Sequence, residues 1–392
     1  MKNIFVLGGD GFCGWPTSLK LSKDGYQVHI IDNLSRRKID IELDTNSLTK
    51  IESINRRLKI WNDLTNNKIL FHNIDLSNEY DKLLNLINEY SPQVIIHLAE
   101  QRAAPYSMKN SKTARYTVNN NLNNTHNVLC AIVESKKDIH LIHLGTMGVY
   151  GYGTIPDTVL PEGYINVKMK NGRGQEMNSE ILHPSYPGSI YHMTKTQDAL
   201  FFKFFAKNYK LRITDLHQGI IWGFETEETK MHTELVNRFD YDSDYGTCLN
   251  RFIVQSKNNI PLTVYGTGEQ TRAFINIQNS VECIKMAVEN PPNKGDKVKI
   301  FNQMTETLTL NKLVDLIKKI NPNTQINNLE NPRNELVKND LKVCNQKFLD
   351  LGLKPIMFSE EELNKIFRSL DKFHCNLKIK NILPSSFWKS FR

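Results

Sequence analysis

Three residues of this 392-residue chain have the types and spacing to move a proton on an alcohol. Thr146 follows an apolar run, His140 to Leu144, within Gly145-Thr146-Met147-Gly148. Tyr191 and Lys195 come later, in Ser189-Ile190-Tyr191-His192-Met193-Thr194-Lys195. A Tyr and a Lys four residues apart share one face of a helix. An ammonium beside a phenol favours the phenolate and draws an ordinary pKa of ~10 towards neutrality. Tyr191 then suits a general base, with Thr146 at the mouth of the same crevice.

The elements that must position these residues begin at the N-terminus. Ile4 to Leu7 reads as a buried parallel strand. Gly8, Gly11 and Gly14 follow as G-x-x-G-x-x-G, with Phe12 and Cys13 in the turn. A helical segment runs from Trp15 to Asp24, and a second apolar run, Val28 to Ile31, ends in Asp32-Asn33. Glycines permit the tight turn and let backbone N–H groups approach a pyrophosphate, and the helix N-terminus adds its dipole. Strand, turn, helix, strand and acid together read as a dinucleotide site, with Asp32 for the ribose hydroxyls. Asp32 favours NAD over NADP, because a carboxylate repels a 2′-phosphate. Arg36 and Arg37 pull the other way, although Arg36 could instead reach the pyrophosphate or a sugar nucleotide.

Further strands are expected at Ile69 to His72, Val94 to Leu98, Leu211 to Leu216 and ending at Phe301-Asn302-Gln303. Ligands bind outside the carboxyl ends of such strands. Asp75-Leu76 then lies where a carboxylate suits an adenine amino group, and Ala99-Glu100-Gln101-Arg102 offers an arginine to an anion. Asn121 falls in the next helix, where a buried amide needs partners. The fold expected is α/β: a Rossmann-type doubly wound parallel sheet with a smaller C-terminal mixed α/β domain. Residues 1–220 form the nucleotide-binding domain, with an insertion at 38–66, and 221–392 mainly the substrate domain. Strands and helices of about 270–300 return to the first domain. Ser47 to Thr65 has helical apolar spacing and is expected to be an amphipathic surface helix. Gly223 to Arg251 reads as a lid and substrate platform. Arg272, and a second arginine, Arg333, suit a diphosphate, because their planar forks match phosphate oxygens. Leu200 to Phe205 (LFFKFF) suits core or dimer contacts.

Composition narrows the class. No run reaches the ~18 apolar residues of a membrane span, and the first strand begins too early for a signal peptide. The six cysteines lack a C-x-x-C pair and read as reduced cytosolic thiols, with no metal site and a cytoplasmic location. The net charge of +8 suits anionic ligands. No basic block interleaved with aromatics suggests nucleic acid. The basic aromatic tail, Phe387-Trp388-Lys389, has no functional reading.

These residues resemble the extended short-chain dehydrogenase/reductase superfamily and, within it, the UDP-sulfoquinovose synthases, over about residues 1–355. The specific marks are Gly8 to Pro16, Ser47 to Thr65 with Trp61, Glu100-Gln101-Arg102 and Pro105 to Met108. Others are Gly145 to Gly148, Tyr191-His192, Thr247 to Phe252, and Leu262 to Arg272. The resemblance implies formation of UDP-sulfoquinovose from UDP-glucose and sulfite, with tightly held NAD recycled, in a homodimer. It implies catalysis by Thr146, Tyr191 and Lys195. It implies cofactor contacts from Gly8, Gly11, Phe12, Cys13, Gly14, Asp32, Asn33, Arg36, Arg37, Asp75, Leu76, Leu98, Ala99, Asn121, Tyr191, Lys195 and Gln218. It implies substrate contacts from Gln101, Arg102, Thr146, Tyr191, His192, Gln218, Thr247, Asn250, Arg251, Gln270, Arg272, Asn302, Gln303, Arg333 and Glu335. A sugar-nucleotide 4,6-dehydratase of this superfamily typically has Asp-Glu after the threonine. Met147-Gly148 cannot move protons, which disfavours that activity and leaves Glu100 or His192 for the elimination. The competing readings are a UDP-hexose 4-epimerase and an inactive member that binds RNA or a protein.

Overall fold

The computed structural model describes residues 2–151, 159–183, 186–333, 335 and 341–383; the basic aromatic tail lies outside them. Seven parallel strands make the central sheet: β1 (Asn3–Leu7), β2 (Gln27–Ile31), β3 (Leu70–His72), β4 (Val94–His97), β5 (His140–Thr146), β6 (Arg212–Gln218) and β7 (Lys299–Gln303). Their order is β7-β6-β5-β4-β1-β2-β3. Strand order reverses between β1 and β4, which opens a crevice at their carboxyl ends. The apolar runs are buried on both faces, as parallel strands between helices must be.

Five helices bear on the cleft: α1 (Gly14–Lys23), α2 (Ile54–Thr65), α3 (Ser111–Ser135), α4 (Ile190–Tyr209) and α5 (Cys248–Lys257). On one face of the sheet, α1 and the helix Ile277–Glu289 pack against Ile4, Val6 and Ile30. On the other, α3 and α4 pack Val128, Ile132, Phe202 and Phe205 against Phe5 and Leu141. A second core gathers Phe239, Phe252, Leu262 and Phe274 around two small sheets. The hairpin Tyr164–Lys170/Glu176–Leu182 rests its base, Tyr164 and Leu182, on the α3–α4 face of the central sheet and leaves Met169 and Met177 exposed further out. No helix among the described residues is long and apolar enough to cross a membrane.

Two expectations need correction. Ser47 to Thr65 is not one surface helix: helix begins at Ile54, capped by the Ser53 hydroxyl. Upstream, the Ser47 hydroxyl accepts the Phe239 N–H at 2.9 Å, the Leu48 N–H donates to the Phe239 carbonyl at 3.0 Å and the Thr49 hydroxyl donates to the Asn237 carbonyl at 2.7 Å, so this segment is spent on tertiary contacts. Trp61 is fully buried and donates to Ser22 at 2.9 Å. Gly223 to Arg251, expected as a lid and substrate platform, is packed in rather than lid-like, because Phe224, Phe239, Asp240 and Tyr245 are buried.

Candidate active site

The glycine turn comes first. Gly8 has φ +80°, and a Cβ there would lie 2.8 Å from the Leu98 carbonyl and the Ala99 nitrogen. Only glycine lets β1 turn this close to the end of β4. Phe12, Cys13 and Gly14 then carry the α1 N-terminus along the cleft wall. Asp32 ends β2, where its carboxylate accepts the N–H groups of Asp10 at 2.9 Å and Leu34 at 2.7 Å. Burial and neighbouring Asp10 lift its pKa to about 6. Turn, helix end and acid open onto one cleft and fit the dinucleotide expected from the sequence. Asn33, Arg36, Leu76, Leu98 and Ala99 line the same cleft.

Arg37 does other work. It clamps the buried Asp10 at 2.6 and 2.9 Å and reaches the Glu52 carbonyl, so it braces the turn from behind. Asp75 caps its own loop through the Ser77 N–H at 3.0 Å. Asn121 holds the loop after β4 by accepting the Gln101 N–H at 2.8 Å and donating to the Gln101 carbonyl at 3.0 Å.

Thr146 sits at the carboxyl end of β5, where its hydroxyl accepts the Gly148 N–H at 3.1 Å. Ser189 caps α4 by accepting the His192 N–H at 3.1 Å, which fixes the turn that carries Tyr191. Tyr191 and Thr146 face the cleft together. Burial pushes the phenol up, against the pull of Lys195 and Thr146, so the lysine alone does not make it acidic. Lys195 is nearly buried: its ammonium donates to the Leu144 carbonyl at 2.6 Å and lies 2.9 Å from Glu100 and 3.0 Å from His143 Nε2. Burial works against the Glu100 carboxylate, but Lys195 and His143 hold it down to about 2. Glu100 is therefore a fixed counter-ion rather than an acid.

His192 is buried beside Tyr191, with ring centroids 5.3 Å apart. Burial, then Arg333 and Arg272, push it down to about 3, which leaves a neutral imidazole. A Cβ at Gly148 would come within 2.2 Å of that ring. The missing side chain after Thr146 and the histidine after Tyr191 thus fill one space.

The opposite wall is rich in arginine. Arg102 meets Asp240 at 2.6 Å, and Arg36 meets the same carboxylate at 3.2 Å. Arg272 Nη2 donates to both Glu335 oxygens, at 2.6 and 2.9 Å, and Arg251, Gln270 and Arg333 line the same wall. Thr247 caps α5, accepting the Asn250 N–H at 3.3 Å. Asn250 itself points at the Asp240 carbonyl, 3.0 Å away, and supports the wall rather than lining it. Gln218 lines the cleft and donates to Ser280 at 2.7 Å. Asn302 and Gln303 lie behind the wall, bonded to Tyr150 and Ser280. Sequence reasoning missed Asp240, His143 and Asp215. Their signal was an acid or imidazole inside an apolar strand or aromatic stretch, where charge needs a partner.

The NAD dependent epimerase/dehydratase family model matches residues 4–302. A UDP-sulfoquinovose synthase of Spinacia oleracea is 40% identical over 99% of this chain and 79% of its own length. One from Sulfolobus acidocaldarius is 35% identical over 98% and 97%. Among solved structures, a UDP-glucose 4-epimerase of Thermotoga maritima, with UDP-glucose, superposes with a TM-score of 0.69 at 20% identity, covering 94% of this chain and 99% of that one. The chain belongs to the NAD dependent epimerase/dehydratase family and, within it, to the UDP-sulfoquinovose synthases.

Proposed function

We propose that this NAD-dependent enzyme converts UDP-glucose and sulfite into UDP-sulfoquinovose and water. Residues 1–220 hold the cofactor in this reading, and 221–392 mainly the sugar nucleotide. One observation supports it above the others. Thr146, Tyr191 and Lys195 share a wall, and the place where an ordinary 4,6-dehydratase carries its acidic pair is Met147-Gly148, filled by the His192 ring.

Bound NAD supplies a reversible hydride sink for C4 of the sugar. Tyr191 takes the proton of the 4-hydroxyl and returns it at the end, while Thr146 orients that oxygen. Lys195 supplies positive charge against the burial that otherwise keeps the phenol neutral. A ketone at C4 acidifies the C5 proton. The neutral His192 imidazole takes that proton and passes it to the C6 hydroxyl, which leaves as water. Bisulfite adds through its sulfur at C6 of the resulting alkene, and its proton goes to C5 by way of His192. Gln101, Arg102 and His192 are the residues assigned to glucose and sulfite. Thr247, Arg251, Arg272 and Arg333 are assigned to the UDP, with Asn250 behind them.

Incubation with UDP-glucose and sulfite is expected to give a UDP-hexose sulfonate by mass spectrometry. Unchanged UDP-glucose from NAD-loaded protein overturns the reading, and UDP-galactose formed without sulfite replaces it with a 4-epimerase. Two copies are expected to pair through α3 and α4, because Met193, Leu200 and Phe204 form an exposed apolar stripe on α4. A monomeric mass by light scattering at micromolar concentration sinks that pairing.

A further inference from the structure

Behind Lys195 runs a buried chain of titratable groups that the mechanism above does not use. His143, in the middle of β5, is fully buried. Its Nδ1 meets Asp215 of β6 at 2.8 Å. Asp215 meets His217 Nε2 at 3.1 Å, and His217 Nδ1 meets the Tyr150 hydroxyl at 2.8 Å. Hydrogen-bond directions along this chain are fixed at its far end. Asn302 donates to the Pro161 and Cys344 carbonyls, so its amide oxygen accepts the Tyr150 proton at 2.7 Å. The Tyr150 oxygen then accepts from His217 Nδ1, which leaves Nε2 facing Asp215. Asp215 thus lies between two imidazole rings, and although burial works against its carboxylate, His217 and His143 hold it far below the usual range.

At the near end, His143 Nε2 stands between a donor and an acceptor. Lys195 lies 3.0 Å away and Glu100 2.9 Å away. Protonated, Nε2 donates to Glu100 and cancels its charge, so Lys195 acts on Tyr191 unopposed. Unprotonated, it accepts from Lys195 and leaves Glu100 charged, which disfavours the phenolate. The other charged or titratable groups facing His143 are Asp198 of α4, at 3.7 Å, and His97 of β4, ring centroid at 5.7 Å. Burial and Glu100 push Asp198 well up, and burial pushes His97 down to about 3, both away from their charged forms. Burial and Lys195 push His143 down, but Asp215 and Glu100 lift it to about 9. Glu100, His143 and Asp198 converge closely enough to hold a metal ion, but the Lys195 ammonium already serves as the cation beside the first two.

We propose that His143, clamped by Asp215, is a positioning residue that balances Glu100 against Lys195 and so sets the pH above which Tyr191 works as base. The inference rests on the reading of Tyr191 as that base. Its test is the pH dependence of kcat/KM for UDP-glucose, with sulfite saturating, in His143→Gln and His143→Lys. Loss of the cation disfavours the phenolate. The acid limb of His143→Gln is therefore expected to move up by about one pH unit, a roughly tenfold loss below the limb and less than about threefold on the plateau. KM and bound NAD are expected to stay as in the parent. His143→Lys keeps a cation and is expected to return the limb. An unmoved limb, an equal loss at every pH, or no return with lysine overturns the proposal. If His143→Gln does not fold, Asp215→Asn reads the same limb, through the loss of His143's proton, and an unmoved limb again overturns it. Tyr191→Phe measured alongside separates the two failures. An active Tyr191→Phe sinks the base assignment, whereas a dead one with an unmoved His143→Gln limb sinks this inference alone.

Discussion

Lys195 is 4% exposed, and its ammonium contacts all run inward, to Leu144, Glu100 and His143. Across the cleft, Arg102 is 36% exposed and rests on Asp240 at the surface of the opposite wall. Both are cations paired with buried carboxylates, but the two regions use the pairing differently. On the Tyr191 side the charges are satisfied by the protein and have no reason to move. Removing one partner there strands a buried charge, at a cost of about 3–5 kcal/mol. On the arginine side the Arg102 guanidinium still faces the cleft, so an incoming anion joins it beside Asp240 at little net electrostatic cost. In the proposed reading, charge behind the first wall tunes a proton and charge on the second captures a ligand.

The largest test of that contrast is Tyr191→Phe. It is expected to cut kcat/KM about 10²–10⁴-fold while bound NAD is retained, read by product formation and by the absorbance of extracted cofactor. A near-normal rate removes the catalytic wall from the comparison. Next in size is Arg272→Ala. Charge-assisted hydrogen bonds to a diphosphate contribute about 1.5–3 kcal/mol, so KM for UDP-glucose is expected to rise roughly 10–100-fold with kcat little changed. A fall in kcat at constant KM breaks the division between the walls.

The catalytic wall was largely legible in the sequence, and the arginine wall only in part. Short apolar runs announce buried parallel strands, and the glycine turn, Thr146 and the Tyr191–Lys195 pair all sit at local spacings. The carboxylates that hold the arginines are remote instead: Asp240 lies 138 residues from Arg102, and Glu335 lies 63 from Arg272. No local pattern joins such pairs. Arg37 misled because arginine after a second strand suits phosphate, whereas here Asp10 claims it. Ser47 to Thr65 misled because Leu48 and Ile51 extend the apolar spacing of α2 backwards. The Leu48 N–H instead bonds the Phe239 carbonyl at 3.0 Å, a contact that periodicity does not register.

Gly148→Ala probes where the two walls meet. The added methyl falls on the His192 ring, which must shift to admit it, and such overpacking costs about 1–3 kcal/mol. Turnover is expected to fall about tenfold with KM for UDP-glucose nearly unchanged, which marks His192 as part of the chemistry. An equal rise in KM assigns the ring to sugar binding instead.

Glu335→Gln should have the smallest effect and discriminates most finely. Glutamine keeps an acceptor for Arg272 but loses the charge that makes the fork strong. If Glu335 only parks the arginine until a diphosphate arrives, its removal relieves a competitor and KM falls. If it orients Arg272 in the occupied site, KM rises by a few-fold, about the ~1 kcal/mol that separates charged from neutral hydrogen bonds. The second outcome is expected, because Glu335 is as buried as the arginine it holds, 2% exposed against 5%, so an entering anion joins the pair rather than replacing the carboxylate.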